Sequence, residues 1–313
     1  MGHPGVNAMA QLAKQPGVAF KALRSSTPGA SPRCEVCATS KITKTHSRVP
    51  NDPAFPKRPY AVVSMDLFQP GPAHNGTSYM VLITCVHTQM KHAFEITNKT
   101  ELPDVFEGFM AWVQRQFGLQ IVKIVADNEP ALFNQQFWAR LDGLEVQNSS
   151  PMHPHQNGHA ERSGGVVLQR MTLLLAQAGY DLTMWPLAAH AAVYLLNRTP
   201  CERLDWHSPL ATRQKWLNDN ITAWKGVKTT PDLRHIRAFG CKAFPMTRAS
   251  LTGRGAGSEK LAPKGHIGYL AGYISSSQYL IWVPNLRRNS FINTTYVIFD
   301  ESLFYSNERS IKA

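Results

Sequence analysis

Three carboxylates stand out by residue type and setting. Asp66 lies near the end of "VVSMDL", and Asp127 follows "IVKIVA"; both runs are apolar and strand-like. A charge there is costly unless it is solvated, paired or bound to a metal, and functional sites collect at the carboxyl ends of strands. Either residue alone reads equally well as a helix cap or turn former. Glu161 stands in "MHPHQNGHAERSGG". There Asn157 fits an N-cap, and the first helical turns favour an ionised side chain. Three such acids form a set of hard oxygen donors suited to Mg2+ or Mn2+. A pair of these ions activates an attacking oxygen and stabilises the leaving oxygen at phosphorus. Among the cysteines, Cys34 and Cys37 in "CEVC" form the one pair whose spacing carries meaning.

The elements that must position these residues follow from periodicity. Residues 60–68, 78–87 and 91–97 read as three strands. A helix follows Thr100, with Val105, Phe109, Trp112, Val113 and Phe117 on one face and Gly118 as its stop. Residues 121–128 read as a fourth strand, 134–143 as a short helix and 144–150 as a short strand, with helices at about 158–178 and 184–197. Three strands followed by alternating helix and strand predict a mixed α/β sheet covered by helices. Gly164 and Gly165 inside the helix after Glu161 cost helix propensity, so something must approach closely, either DNA backbone or a packed neighbouring helix. From about residue 198 to 264 the chain reads as irregular and basic. Beyond it, strand-like segments, with one contributed by "IRAFGCKAF", suit a small β-barrel.

Composition narrows the partners. The chain has 313 residues, with 33 Lys+Arg against 21 Asp+Glu and a net charge of +12. That balance favours polyanions, nucleic acid before anionic membrane. No apolar run reaches transmembrane length, and five cysteines are too few for a disulfide scaffold, so a reducing, intracellular setting is expected.

Taken in order, "DNEPALFNQQF", "HPHQNGHAERSGG" and "LLNRTP" resemble the integrase of Ty1/copia-type LTR retrotransposons, a resemblance close to full length. It implies an RNase H-like core whose D, D, E triad matches Asp66, Asp127 and Glu161. It also implies a small SH3-like domain, matched by "FGCKAF" and "GYLAGY…YVIFDE", and an upstream zinc module. His3, Cys34 and Cys37 match that module's second His and both Cys, a set chemically fit for tetrahedral zinc, while the first His has no counterpart and His46 is the candidate substitute; zinc is therefore expected to be held weakly and the chain to be a piece of a polyprotein. The expected organisation is a zinc-type module at 1–48, a Pro-rich linker at 49–59, a catalytic core at 60–225, and a basic linker with an SH3-like β domain at 226–313. The implied activity is metal-dependent strand transfer of element cDNA 3′ ends into target DNA. The alternatives are an inactive nucleic-acid-binding remnant or an RNase H-type nuclease. Implied partners are DNA, with RNA second, and further copies of the chain; no membrane is expected. The nucleus is the implied place of action, with cytoplasmic particles as origin. Lys57, Arg58, Gln156, Asn157, Arg162, Arg170, Arg287 and Arg288 are the expected nucleic-acid contacts. The sequence departs from the family pattern in three ways: a slightly short interval before Glu161, Ser163-Gly164-Gly165 where basic residues are common, and Glu129 in "DNE".

Overall fold

The computed structural model describes residues 57–126, 143–148, 158–252, 261–286 and 290–306, without the side chains of 147–148 and 158–163. Chain contacts divide the protein into units Met1–Pro50 and Asn51–Ala313; all described residues belong to the second. The zinc-type constellation of His3, Cys34, Cys37 and His46 lies outside them, as does the short helix expected at 134–143.

Strands β1 (Val62–Phe68), β2 (Tyr79–Cys85) and β3 (Lys91–Ile96) form an antiparallel meander. Helix α1 (Leu102–Phe117) follows, and then β4 (Lys123–Ala126) and β5 (Glu145–Asn148) add in parallel on the far side of β1. The sheet order is β3-β2-β1-β4-β5, the mixed RNase H-like arrangement expected. Helix α1 buries Leu102, Phe106, Phe109, Val113 and Phe117, and Gly118 ends it in a left-handed conformation at φ 66°. The buried stripe runs through Phe106 rather than Val105; Trp112 is partly buried and stacks on Phe109, ring centroids 5.7 Å apart.

Side chains alternate across a strand, and β2 shows how this divides the core. Val81 and Ile83 join the cluster beneath α1, whereas Met80 and Leu82 join the one beneath α2 (Gly158–Ala178) and α3 (Trp185–Leu196). Helix α3 buries eight of its twelve residues, because it is enclosed between β3, α2 and a second sheet. Its exit carries the "LLNRTP" motif, whose role is structural. The Asn197 amide accepts from the Lys91 N–H and donates to the Lys91 carbonyl, each at 2.8 Å. One side chain thus pairs the first residue of β3 as a neighbouring strand would.

Where the sequence reads as irregular, the structure holds helix α4 (Pro209–Asn220). Ser208 caps it by accepting from the Ala211 N–H, and Pro209 opens it. Only Pro209 and Leu217 are buried, so its apolar periodicity is too faint to read. A short helix α5 (Arg248–Thr252) lies in the same stretch.

The second sheet consists of β6 (Cys241–Pro245), β7 (Gly268–Tyr273), β8 (Tyr279–Val283), β9 (Ser290–Thr294) and β10 (Val297–Phe304), ordered β10-β6-β7-β8-β9 and antiparallel throughout. Among the described residues β9 and β10 are not paired with each other, so the sheet is open rather than a closed barrel. It shares the core of the first: Phe239, Tyr269, Ala271 and Trp282 belong to the same buried cluster as α2 and α3. Tyr180, just past α2, donates to the Leu270 carbonyl at 3.0 Å and meets Trp282 edge-on at 5.3 Å. Tyr194 of α3 stacks on Tyr273 at 4.9 Å with the Arg198 guanidinium 3.4 Å above the Tyr194 ring. These contacts tie both sheets to the helices between them.

Candidate active site

Asp66 lies near the carboxyl end of β1, the central strand. Its direction follows from its neighbours. Val63, Met65 and Leu67 pack on the α1 side, while Phe68 packs on the α2–α3 side. By alternation Asp66 shares the face of Ser64 and Phe68, and its register partner on β2, Leu82, belongs to the same side. The carboxylate is half-buried, and it points toward the layer in which α2 lies.

Helix α2 begins at Gly158, so Glu161 falls in its first turn and the N-cap position at Asn157, outside the described residues. The helix packs against β1 and β2, and it comes close to β1 at Gly164. That residue is buried, and a Cβ there would overlap the ring of Phe68. Residues three and four apart are neighbours on a helix surface, so Gly164 and Gly165 both lie one turn on from Glu161, Gly164 about 4.5 Å further along the axis. Phe68, in turn, is two residues from Asp66 on the same strand face. A single glycine–aromatic contact therefore sets the first turns of α2 against the end of β1.

This corrects the reading of the glycine pair. The close neighbour of Gly164 is neither DNA nor a helix but an aromatic ring from the sheet. Gly165 is exposed, with nothing within 4 Å of an added Cβ.

The second acid enters through β4. Ala126 lies opposite Met65 in parallel register and ends the described strand. Asp127 itself lies outside the described residues, as do Gln156, Asn157, Arg287 and Arg288. Among the described residues no group of three His, Cys, Asp or Glu comes together as a metal site. The donor type nevertheless fits Mg2+ or Mn2+: Asp66 is a half-buried carboxylate at a strand end, and hard cations take oxygen ligands.

The expected basic contacts are dispersed. Lys57 is exposed and gives its carbonyl to the Trp216 indole at 3.1 Å; Arg58 donates to the Gln120 carbonyl at 3.0 Å. Both precede β1 and so stand at the opposite end of that strand from Asp66. Arg170 is exposed on α2, nine residues and about two and a half turns along from Glu161, and the Arg162 backbone lies in the helix next to Glu161.

Beneath α1, sequence reasoning missed a polar group in an aromatic setting. The Arg213 guanidinium donates to the Tyr60 hydroxyl at 3.1 Å, and that hydroxyl lies 3.2 Å from His92 Nε2. Burial, with Arg213 second, pushes the His92 imidazole down to about 3, so it is neutral and accepts from Tyr60. Burial also raises Tyr60 to about 12 against the pull of Arg213. The signal was one polar residue in "KHAFEI", at a position where alternation predicts a core side chain.

The chain's relatives are plant retrotransposon Pol polyproteins. It is 26% identical over 253 residues to the retrovirus-related Pol polyprotein from transposon RE1 of Arabidopsis thaliana, covering 80% of this chain and 16% of that protein. It is 26% identical over 273 residues to that from transposon RE2 of the same plant, covering 86% and 17%. The chain thus spans less than a fifth of the length of the curated relatives it matches. No family model matches it. Among solved structures it is similar to the HTLV-2 integrase catalytic core domain in complex with magnesium, with a TM-score of 0.37, 14% identity, and coverage of 49% of this chain and 95% of that one. It is also similar to the catalytic core domain of BIV integrase, with a TM-score of 0.38, 17% identity, and coverage of 53% and 99%.

Proposed function

We propose that this chain is the integrase region of a retrotransposon polyprotein, which joins 3′-hydroxyl ends of element cDNA to target DNA. The observation that carries the reading is the Phe68–Gly164 contact, which brings the helix turn of Glu161 to the strand end of Asp66. Asp127 completes the set by connectivity. It follows Ala126, the last described residue of β4, which lies opposite Met65 in parallel register.

Asp66, Asp127 and Glu161 would hold Mg2+ or Mn2+. When bound, such ions lower the barrier at phosphorus by neutralising charge on the attacking and leaving oxygens. The chain's own residues do the rest. β1 supplies Asp66, and its parallel neighbour β4, about 4.8 Å away, leads into Asp127. Phe68 fixes the height of the helix over them. The first turn of α2, in which Glu161 falls, is the end of a helix where free N–H groups and the dipole favour an anionic residue. The excess of positive charge draws the polyanionic substrates to the protein, with Arg162 and Arg170 on the helix that borders the site.

The reading is tested by incubating the purified chain with labelled element ends, plasmid DNA and Mg2+. Joined products that disappear without metal support it. Hydrolysis of an RNA–DNA hybrid without joining would identify an RNase H-type nuclease instead, and DNA binding with neither reaction an inactive remnant.

A further inference from the structure

Away from the carboxylates, a cavity of about 660 Å³ opens between the start of β3, the exit of α3 and the first residues of α4. Its walls include Val166, Leu196, Pro200 and Pro209, and its polar side holds Lys91 and Cys201. Lys91 decides what the cavity can take. It is 8% exposed, its ammonium donates to the Gln89 carbonyl at 3.3 Å, and among the described residues no carboxylate pairs with it. Glu202 lines the same cavity but forms no ion pair with Lys91. The backbone of Lys91 is held on both sides by Asn197, which fixes where its side chain enters the cavity. A cation held this way carries a desolvation cost that a bound counter-charge would offset. Burial pushes the Lys91 ammonium down to about 8; the neighbouring Cys201 pulls it back up, and Arg203 adds to the fall.

We propose that this cavity is a binding site for an amphipathic carboxylate, a small organic acid with an apolar body. The carboxylate pairs with the Lys91 ammonium, and the body lies against Val166, Leu196 and the two prolines. A mostly apolar wall with one charged anchor is the usual form of a small-molecule site. A duplex phosphate fits poorly, because an ammonium recessed to 8% exposure is beyond a backbone that must stay outside the cavity mouth. Ligand pairing would also draw on donors that Lys91 now leaves unused, since an ammonium has three and the Gln89 carbonyl takes one.

Cys201 provides the readout. It is half-buried at the cavity, whereas Cys85 and Cys241 are buried. Iodoacetamide labelling of the Cys201 peptide is followed by mass spectrometry on the full chain, with 1-naphthoate, neutral 1-naphthamide, inorganic phosphate or a DNA duplex present. The proposal expects naphthoate alone to protect, slowing labelling by about tenfold when its concentration is about ten times its dissociation constant. Lys91→Met removes the charge and should abolish protection, as should Val166→Trp, which fills the cavity from an exposed wall position without touching the anchor. Equal protection by naphthamide would overturn the role of Lys91, and equal protection by phosphate the role of the apolar wall. Protection by duplex but not naphthoate would overturn the proposal outright, as would wild-type protection in either folded variant. None of these readouts depends on DNA joining.

Discussion

The two adjacent glycines of α2 offer a controlled perturbation, because they share helix, neighbours and chemistry but not surroundings. A glycine inside a helix costs roughly 0.8–1 kcal/mol relative to alanine. Gly165→Ala adds a methyl where nothing lies within 4 Å, so the full gain should appear, raising the melting temperature by about 2 °C for a unit of this size. Gly164→Ala makes the same gain but drives the methyl into the Phe68 ring. Overpacking of this kind costs about 1–3 kcal/mol, so the net change runs from near zero to about 2 kcal/mol destabilising. The larger effect falls on the reaction. The Phe68 ring must move; under the proposed function it sets α2 against the end of β1, so its displacement separates the carboxylates. A misplacement of about 1 Å costs on the order of 100-fold in rate. Metal-dependent joining should therefore drop by about that factor for Gly164→Ala and stay near wild type for Gly165→Ala. Phe68→Leu in the Gly164→Ala background should restore much of it, since the two sites are in contact and their effects couple. Thermal melts and a strand-transfer assay on the four proteins suffice. If Gly164→Ala stabilises as much as Gly165→Ala and joins DNA at the wild-type rate, the contact does not position the site.

Other outcomes follow from the same structure. His92 is neutral with its pKa lowered to about 3 from an ordinary 6.5, so between those values the unfolded chain binds the extra proton. Stability should be complete above pH 6.5 and fall as pH drops toward 3, by at most about 5 kcal/mol and less for the part of the ring that keeps water; His92→Phe should flatten that acid slope in denaturant titrations. Asn197→Ala leaves the Lys91 N–H and carbonyl without their shared partner, and at about 1–3 kcal/mol for each buried group it should lower the urea midpoint more than Tyr180→Phe, which loses one bond to Leu270. DNA affinity should fall steeply with salt, by about 10³-fold between 50 and 200 mM if six phosphates are neutralised; a flat titration would show that the +12 charge does not serve DNA.

In the first sheet β1, β2 and β4 were legible from dense apolar runs bounded by turn residues, and α2 from its length. Asp66 was legible as an acid in an apolar strand. What decides its geometry was not: Phe68 looks like one more strand aromatic, and only the packed structure shows it seated on Gly164. Helix α4 escaped because its buried side is two residues wide, although Ser208-Pro209 signals its start. "SFINTTYVIFDE" reads as one strand, yet it folds as β9 and β10, turning at Asn293–Tyr296, where the Thr294 hydroxyl accepts from the Tyr296 N–H at 3.0 Å. The pairing of Asn197 with Lys91 joins residues 106 apart in sequence, a relation that local pattern does not encode.

The central claim is that the carboxylates of Asp66, Asp127 and Glu161 act as one metal-holding set, and Glu161→Gln addresses it most directly because it keeps the side chain's shape and removes only the charge. Mg2+-dependent joining of labelled element ends should fall to the level seen without metal, while the melting temperature and the affinity for DNA stay those of the unaltered protein. Joining that persists in the folded Glu161→Gln protein would contradict the account.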